Sequence, residues 1–305
     1  YEPDARLVWC RDHHRWASCC WRSAYGEWQA IVQPIALPHL LKFNHNSVGI
    51  LQLTGGVPTK RVLACDTSRF EGGFWSLGTV ERAATAPRQG KPLVRQHQAL
   101  VALPEGPSIF VDLCEALEPI EVQQNHGLGL RLAADMFNDH QVHLIADGEE
   151  KTFAPHSQCD TWHDLGTQSV TIEKLLTIQS LAGDGSFQLM QKRQRAPDFR
   201  ESPYPGDSAA VEESLLAHEL YFGPPVGALP RRVSAGEWFR KLVLVSYCDP
   251  QQTPSRPSGS VTGEKACLAV RLPEVCRTVV INFADREGRM GPVKVGPRNV
   301  VILHQ

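Results

Sequence analysis

The feature that most constrains this chain is a cadence of short apolar runs separated by glycine- and proline-rich turns. "RLVWC" (residues 6–10), "VGILQL" (48–53), "RVLAC" (61–65) and "SIFVDL" (108–113) are β-branched or alternating segments. "HQVHLI" (140–145), "SVTIEKLLTIQSL" (169–181), "SFQLMQ" (186–191) and "KLVLVSYC" (241–248) continue the series, and "ACLAVRL" (266–272), "RTVVINF" (277–283) and "NVVILH" (299–304) close it. Between them stand "LTGGVP", "PEGP", "ADGEE", "AGDGS", "DREG" and "VGPRN". Runs of this length at a spacing of roughly ten residues, with turn residues between them, mark the strands of a sandwich or barrel. Only "AAVEESLLAHEL" (209–220) has helical spacing, and its continuation "LYFGPP" suits an edge strand equally well. With 22 Pro and 24 Gly spread along the chain, long helices have little room. The expected fold is all-β, a large antiparallel β-sandwich with a small C-terminal β-sheet.

Two stretches break the cadence. "RAPDFRESPYPGDS" (195–208) is a polar, proline-rich excursion, and "DPQQTPSRPSG" (249–259) has the composition of a linker. The expected division is a main sandwich over 1–250 and a small sheet over 251–305. The latter should pack on the main body, because the roughly 45 residues after the linker cannot enclose a core of their own. A formal charge of −2 argues against a nucleic-acid partner, which would require a basic stripe. The densest basic run, "QKRQR" (191–195), reads as a solvated strand end. No apolar stretch reaches the roughly 18 residues of a membrane-spanning helix, so no membrane partner is expected. Residue 1 is Tyr rather than Met, which suggests a processed product or a fragment.

Sulfur is concentrated at the start, where "CRDHHRWASCCW" (10–21) holds three of the nine cysteines and two histidines. Read as a hairpin, it has one strand ending at Cys10, a turn at "RDHHR" and a returning strand from Trp16. Strand parity then puts Cys19 with Ala17 and Trp21 on one face and Cys20 with Trp16 on the other. Neighbouring cysteines on a strand cannot share a metal, and His13 and His14 fall at the tip. No metal or cofactor is expected. A Cys10–Cys19 cross-strand bond and packed free thiols both remain open. The other cysteines form no CxxC pair and sit in apolar runs, where a thiol acts as a small hydrophobe.

Candidate binding groups occur in four places. Asn44, His45 and Asn46 precede an apolar strand, and Asn125 and His126 stand before a second. Asn138 and His140 open a third, and Trp162 with His163 sets an aromatic plane beside an imidazole in "CDTWHDLG". The glycine-rich "FEGGFWSLG" adds Trp75. Amides and imidazoles both donate and accept hydrogen bonds, and aromatic faces stack on the apolar faces of sugar rings. This set suits a polysaccharide or oligosaccharide. A GxSxG elbow, HExxH, a P-loop and GxGxxG are all missing from the sequence. Glu219 in "AHELYF" and Asp112 in "FVDLCE" alternate with apolar residues, as edge charges or catalysts would.

In the order of its features the chain resembles the β-supersandwich (galactose-mutarotase-like) region of polysaccharide lyases of the hyaluronate and heparinase II/III-like groups. The resemblance rests on "RWASCCWRSAY", "FEGGFWSLGTVER", "ALVALPEGPSIFVDLCEALEPIEV", "RVSAGEWFRKLVLVSYC" and "VVINFADREG…VKVGPRNVVIL". It implies a carbohydrate-active protein, the β portion of an enzyme that cleaves acidic polysaccharide by β-elimination, with an N-terminal helical domain as partner. In such enzymes the carboxylate is neutralised by Asn, His or Arg while Tyr or His moves the proton. The sandwich's share is often a His, so the resemblance points to His45, His126 and His140 as catalytic candidates. A non-catalytic glycan-binding module and a mutarotase-like epimerase are the alternatives. Glycan degradation suits export, whereas nine unpatterned cysteines suit a reducing compartment, so localisation stays open.

Overall fold

The structure is a computed structural model. It describes residues 7–21, 29–38, 40–41, 47–84, 90–104, 106–133, 141–154, 160–191, 217–225, 227–249, 251, 253–254 and 258–304. Within these the chain is all-β with antiparallel pairing, and its one 3-10 turn is Pro273–Val275. No helix there is long and apolar enough to cross a membrane.

A nine-stranded sheet forms the central layer. Its strand order is Glu149–Phe153, Val142–Ala146, Ser169–Ile172, Leu176–Ala182, Trp238–Tyr247, Ser108–Ala116, Pro92–Ala102, Gly73–Ala83 and Thr59–Phe70. The central strands read as almost continuous hydrophobic runs because both faces are covered. Leu100, Phe110 and Leu244 align across three strands on one face, and Val101, Ile109 and Val245 align on the other. The first row joins a core shared with Leu128, Leu130, Phe187, Leu189, Leu220 and Phe222 of a six-stranded sheet. That sheet runs Thr161–Asp164, Ser186–Gln191, Ala217–Gly223, Ile120–Ala133 and Arg231–Val233, with Ser47–Leu53 also paired to Ile120–Ala133. The second row meets Leu268, Val270, Leu272, Val279 and Ile281 of a four-stranded C-terminal sheet. This small sheet comprises Ser260–Glu264, Cys267–Leu272, Arg277–Asn282 and Asn299–His304, and it covers the outer face of the central layer.

The cysteine-rich start is a hairpin of Leu7–Arg11 and Arg15–Cys20, extended by Gln29–Pro34 into a three-stranded sheet. The Asp12 carboxylate closes the turn by accepting from the backbone N–H of His14 at 2.9 Å and of Arg15 at 2.8 Å. Ala17, Cys19 and Trp21 are buried on one face, as strand parity requires. The register places Cys10 opposite Ala17 and Cys19 opposite Val8, so the two thiols are not partners and neither is in a disulfide. "SVTIEKLLTIQSL" is not a single strand. It folds back at Glu173 and Lys174, whose φ of 51° and 57° makes a left-handed turn, into Ser169–Ile172 and Leu176–Ala182. "AHELYFG" is neither helix nor edge: Ala217–Gly223 lies between Ser186–Gln191 and Ile120–Ala133. Residues 209–216 are outside the described residues.

Candidate functional site

On the outward face of the six-stranded sheet, alternation sorts the side chains cleanly. Leu220 and Phe222 point into the core, so Glu219 and Tyr221 point out. The register aligns Trp162, Met190, Glu219 and Arg131 across four strands in one row. Tyr221 occupies the next outward position, and three rings converge around it. The Trp162 and Tyr221 centroids are 5.3 Å apart, those of His126 and Tyr221 4.7 Å, and those of His126 and Trp162 6.1 Å with planes 21° apart. Trp162 is 39% exposed and forms the open rim of this ledge, whereas His126 is buried at its base.

Polar groups surround the rings. The Tyr221 hydroxyl donates to the Glu219 carboxylate, which also pairs with Arg131 Nε at 3.2 Å. Burial, and then the Glu219 charge, pushes the Tyr221 phenol well above its ordinary value, so it stays protonated. Burial, and then the Arg240 cation, brings His126 down to about 4. Its imidazole is therefore neutral near pH 7. Gln124 Nε2 lies 3.0 Å from His126 Nδ1. An amide nitrogen can only donate, so Nδ1 accepts and the ring proton sits on Nε2. Gly223 makes room for this imidazole, since a Cβ there would stand 2.8 Å from His126 Cδ2.

Among the described residues, the structure brings together two of the predicted binding groups, His126 and Trp162. His126 lies within Ile120–Ala133 rather than before it. The imidazole beside Trp162 belongs to it and not to His163, because neighbours on a strand face opposite ways. His163 turns toward Phe153, at 5.0 Å between centroids, and its Nε2 is 2.7 Å from Gln191 Oε1. Asn125 faces the interior and accepts from Arg240. Trp75 packs against the cluster beneath the C-terminal sheet, away from the ledge. Asn44, His45, Asn46, Asn138 and His140 are outside the described residues. Glu219 reads from sequence as an edge charge or a catalyst, whereas Tyr221 and Arg131 are not singled out. The i, i+2 pairing of Glu219 and Tyr221 opposite Leu220 and Phe222 was a usable signal for two of them; Arg131 joins only through cross-strand register.

A larger cleft of about 1160 Å³ lies along the far edge of the central sheet, lined by Thr167, Ser169, Thr171, Thr177 and Thr253 among others. It contains no aromatic ring among its described lining. No group of three or more His, Cys, Asp or Glu among the described residues is arranged to hold a metal.

No protein-family model matches this sequence, and no curated protein matches it. Solved structures do match in fold. The α-galactosidase AgaB of Geobacillus stearothermophilus, from glycoside hydrolase family GH36, superposes with a TM-score of 0.51 at 8% identity, covering 81% of this chain and 40% of that one. The galactosidase domain of the α-galactosidase–sucrose kinase AgaSK gives 0.48 at 8% identity, over 81% and 41% of the two chains. The α-galactosidase of Lactobacillus brevis gives 0.47 at 6% identity, over 79% and 39%. At such identity the likeness to AgaB defines a shared β-sandwich fold. This chain spans about 40% of that enzyme's length.

Proposed function

We propose that this chain is a carbohydrate-binding β-sandwich module of a glycan-degrading protein, and that a sugar ring docks on the Trp162 ledge. The observation that carries the reading is the outward Trp162 face backed by Tyr221 and His126, with the Glu219–Arg131 pair alongside. Such a surface matches a pyranose. The C–H face of the sugar stacks on the indole, while the carboxylate, the guanidinium and the imidazole Nε2–H take hydroxyls at its edge. The shared fold with an α-galactosidase supports the same reading. Titration with a panel of neutral and uronate oligosaccharides, followed by tryptophan fluorescence and calorimetry, tests it. Trp162→Ala should weaken binding about fivefold, consistent with roughly 1 kcal/mol for an aromatic stacking contact. A panel that produces no heat and no fluorescence change overturns the proposal.

A finer reading makes the module the β portion of a polysaccharide lyase. The neutral His126 imidazole favours it, because a general base must be unprotonated at the working pH. The Gln124 contact would then have to open so that the free ring nitrogen faces the substrate. Ultraviolet absorbance from an unsaturated uronate product, lost in His126→Gln, tests this step. Binding without that absorbance leaves a module that binds and does not cleave.

A further inference from the structure

The strand Ile120–Ala133 does not alternate regularly. Leu128, Leu130 and Leu132 all point into the core, and period-two alternation would send His126 the same way. Its ring instead packs on Tyr221 and Trp162, on the opposite face. Asn125 points inward to Arg240, and so does Gly127, where a Cβ would lie 2.1 Å from Cδ2 of the core residue Leu242. Gly127 and Leu128 are consecutive and face the same side, so the alternation breaks at Gly127, although the pairing with Ser47–Leu53 keeps its register there, Val48 opposite Leu128 and Ile50 opposite His126. Breaks of this kind re-aim side chains, and each has to be held by its surroundings.

We infer that Asn125, gripped by Arg240, is the positioning residue that turns His126 out of the core and into the ring site. This rests on the ledge being the ligand site. Arg240 reaches across from the central sheet, and both its Nε, at 2.8 Å, and its Nη2, at 2.6 Å, donate to Asn125 Oδ1. Nη2 also donates to the carbonyl of Ile50 at 2.6 Å, and Ile50 is the cross-strand partner of His126. Nη1 donates to Asp112, whose other oxygen accepts from Gln96 Nε2 at 2.7 Å. The same Gln96 nitrogen lies 3.1 Å from the Gly49 carbonyl, and Gln96 Oε1 accepts from Arg82 Nε at 2.9 Å. Arg82, Gln96 and Asp112 are fully buried. The chain therefore ties the strand that carries His126, and Ser47–Leu53 beside it, to the central sheet next to the break in alternation. Charge-assisted bonds to a buried acceptor are strong, and an orphaned guanidinium N–H in this interior is costly. The grip on Asn125 thus favours the broken alternation, with His126 facing out, over the regular one.

The test uses the full chain. Asn125→Leu removes the acceptor at nearly constant volume, and Asn125→Asp restores one. Ring chemical shifts of His126 by NMR, oligosaccharide affinity and the urea midpoint are read for each. Asn125→Leu should move the His126 signals and weaken binding at least about tenfold; Asn125→Asp should keep the affinity. A folded Asn125→Leu with a lowered urea midpoint but wild-type His126 signals overturns the inference, leaving Asn125 a purely structural residue. Should that variant fail to fold, Asn125→Ser, too short to meet both guanidinium nitrogens, is read by the same criterion. If the wild type binds no glycan, the ligand reading fails separately, and the His126 signals still decide the positioning role.

Discussion

Acidification should destabilise this protein in a window set by two buried histidines. His97 lies between the central sheet and the C-terminal sheet, its ring stacked on Trp238 at 5.8 Å and tilted against Phe283 at 5.4 Å, with Thr79 Oγ1 2.8 Å from Nδ1. Burial, and then the Arg95 cation, lowers it to about 4 against a partial counter-effect from Asp285. His126 falls to about 4 through burial and Arg240. In the unfolded chain both return to about 6.5, so between these values the unfolded state binds more protons and stability falls as pH falls. At pH 5 each unfolded imidazole is about 1.5 units into protonation while the folded one stays neutral. At about 1.36 kcal/mol per unit, each costs about 2 kcal/mol relative to pH 8. Urea unfolding at pH 8 and pH 5 measures the loss, with equal slopes confirming the same transition. His97→Gln keeps a partner for Thr79 and cannot titrate, so it should shrink the difference by about 2 kcal/mol. If wild type and His97→Gln lose the same stability over this interval, the argument that burial holds His97 neutral is refuted.

Three further outcomes follow from the packing. Arg240→Met leaves Asp112 charged and buried and should cost about 3–5 kcal/mol by urea unfolding, whereas adding Asp112→Asn should recover part of that loss. Gly223→Ala places a Cβ 2.8 Å from His126 Cδ2 and 2.9 Å from the Asn125 carbonyl, so it should cost about 1–3 kcal/mol and shift the His126 ring signals. Against a thiol reagent near pH 8, exposed Cys276 should react ahead of Cys114 and Cys248, whose thiols are buried and pushed up to about 12; rapid labelling of either buried thiol in the folded protein would contradict the core described.

Much of the architecture was legible because period-two alternation is local. "NVVILH" reads as a strand and is one, Asn299–His304, and parity alone puts Ala17, Cys19 and Trp21 on one face, which is the buried one. Errors arose where a run concealed a reversal. Glu173 and Lys174 turn left-handed inside an apolar segment without a glycine to mark the turn. "AHELYF" alternated correctly, yet nothing local showed that it lies between two strands rather than at an edge.

The site was harder to read for the same reason. Trp162 and His163 are adjacent in sequence and face opposite ways, while Trp162, Glu219 and Arg131 are far apart in sequence and share one row. By itself the sequence determined that the chain is all-β and that Trp162 and His126 are candidates for a sugar site. Those properties depend on composition and on a two-residue period that each strand carries alone. Only the tertiary structure decided which rings meet, because cross-strand register is a long-range choice. It also decided that His126 faces outward, because the alternation breaks at Gly127 beside Asn125, which accepts from an arginine more than a hundred residues away in the sequence.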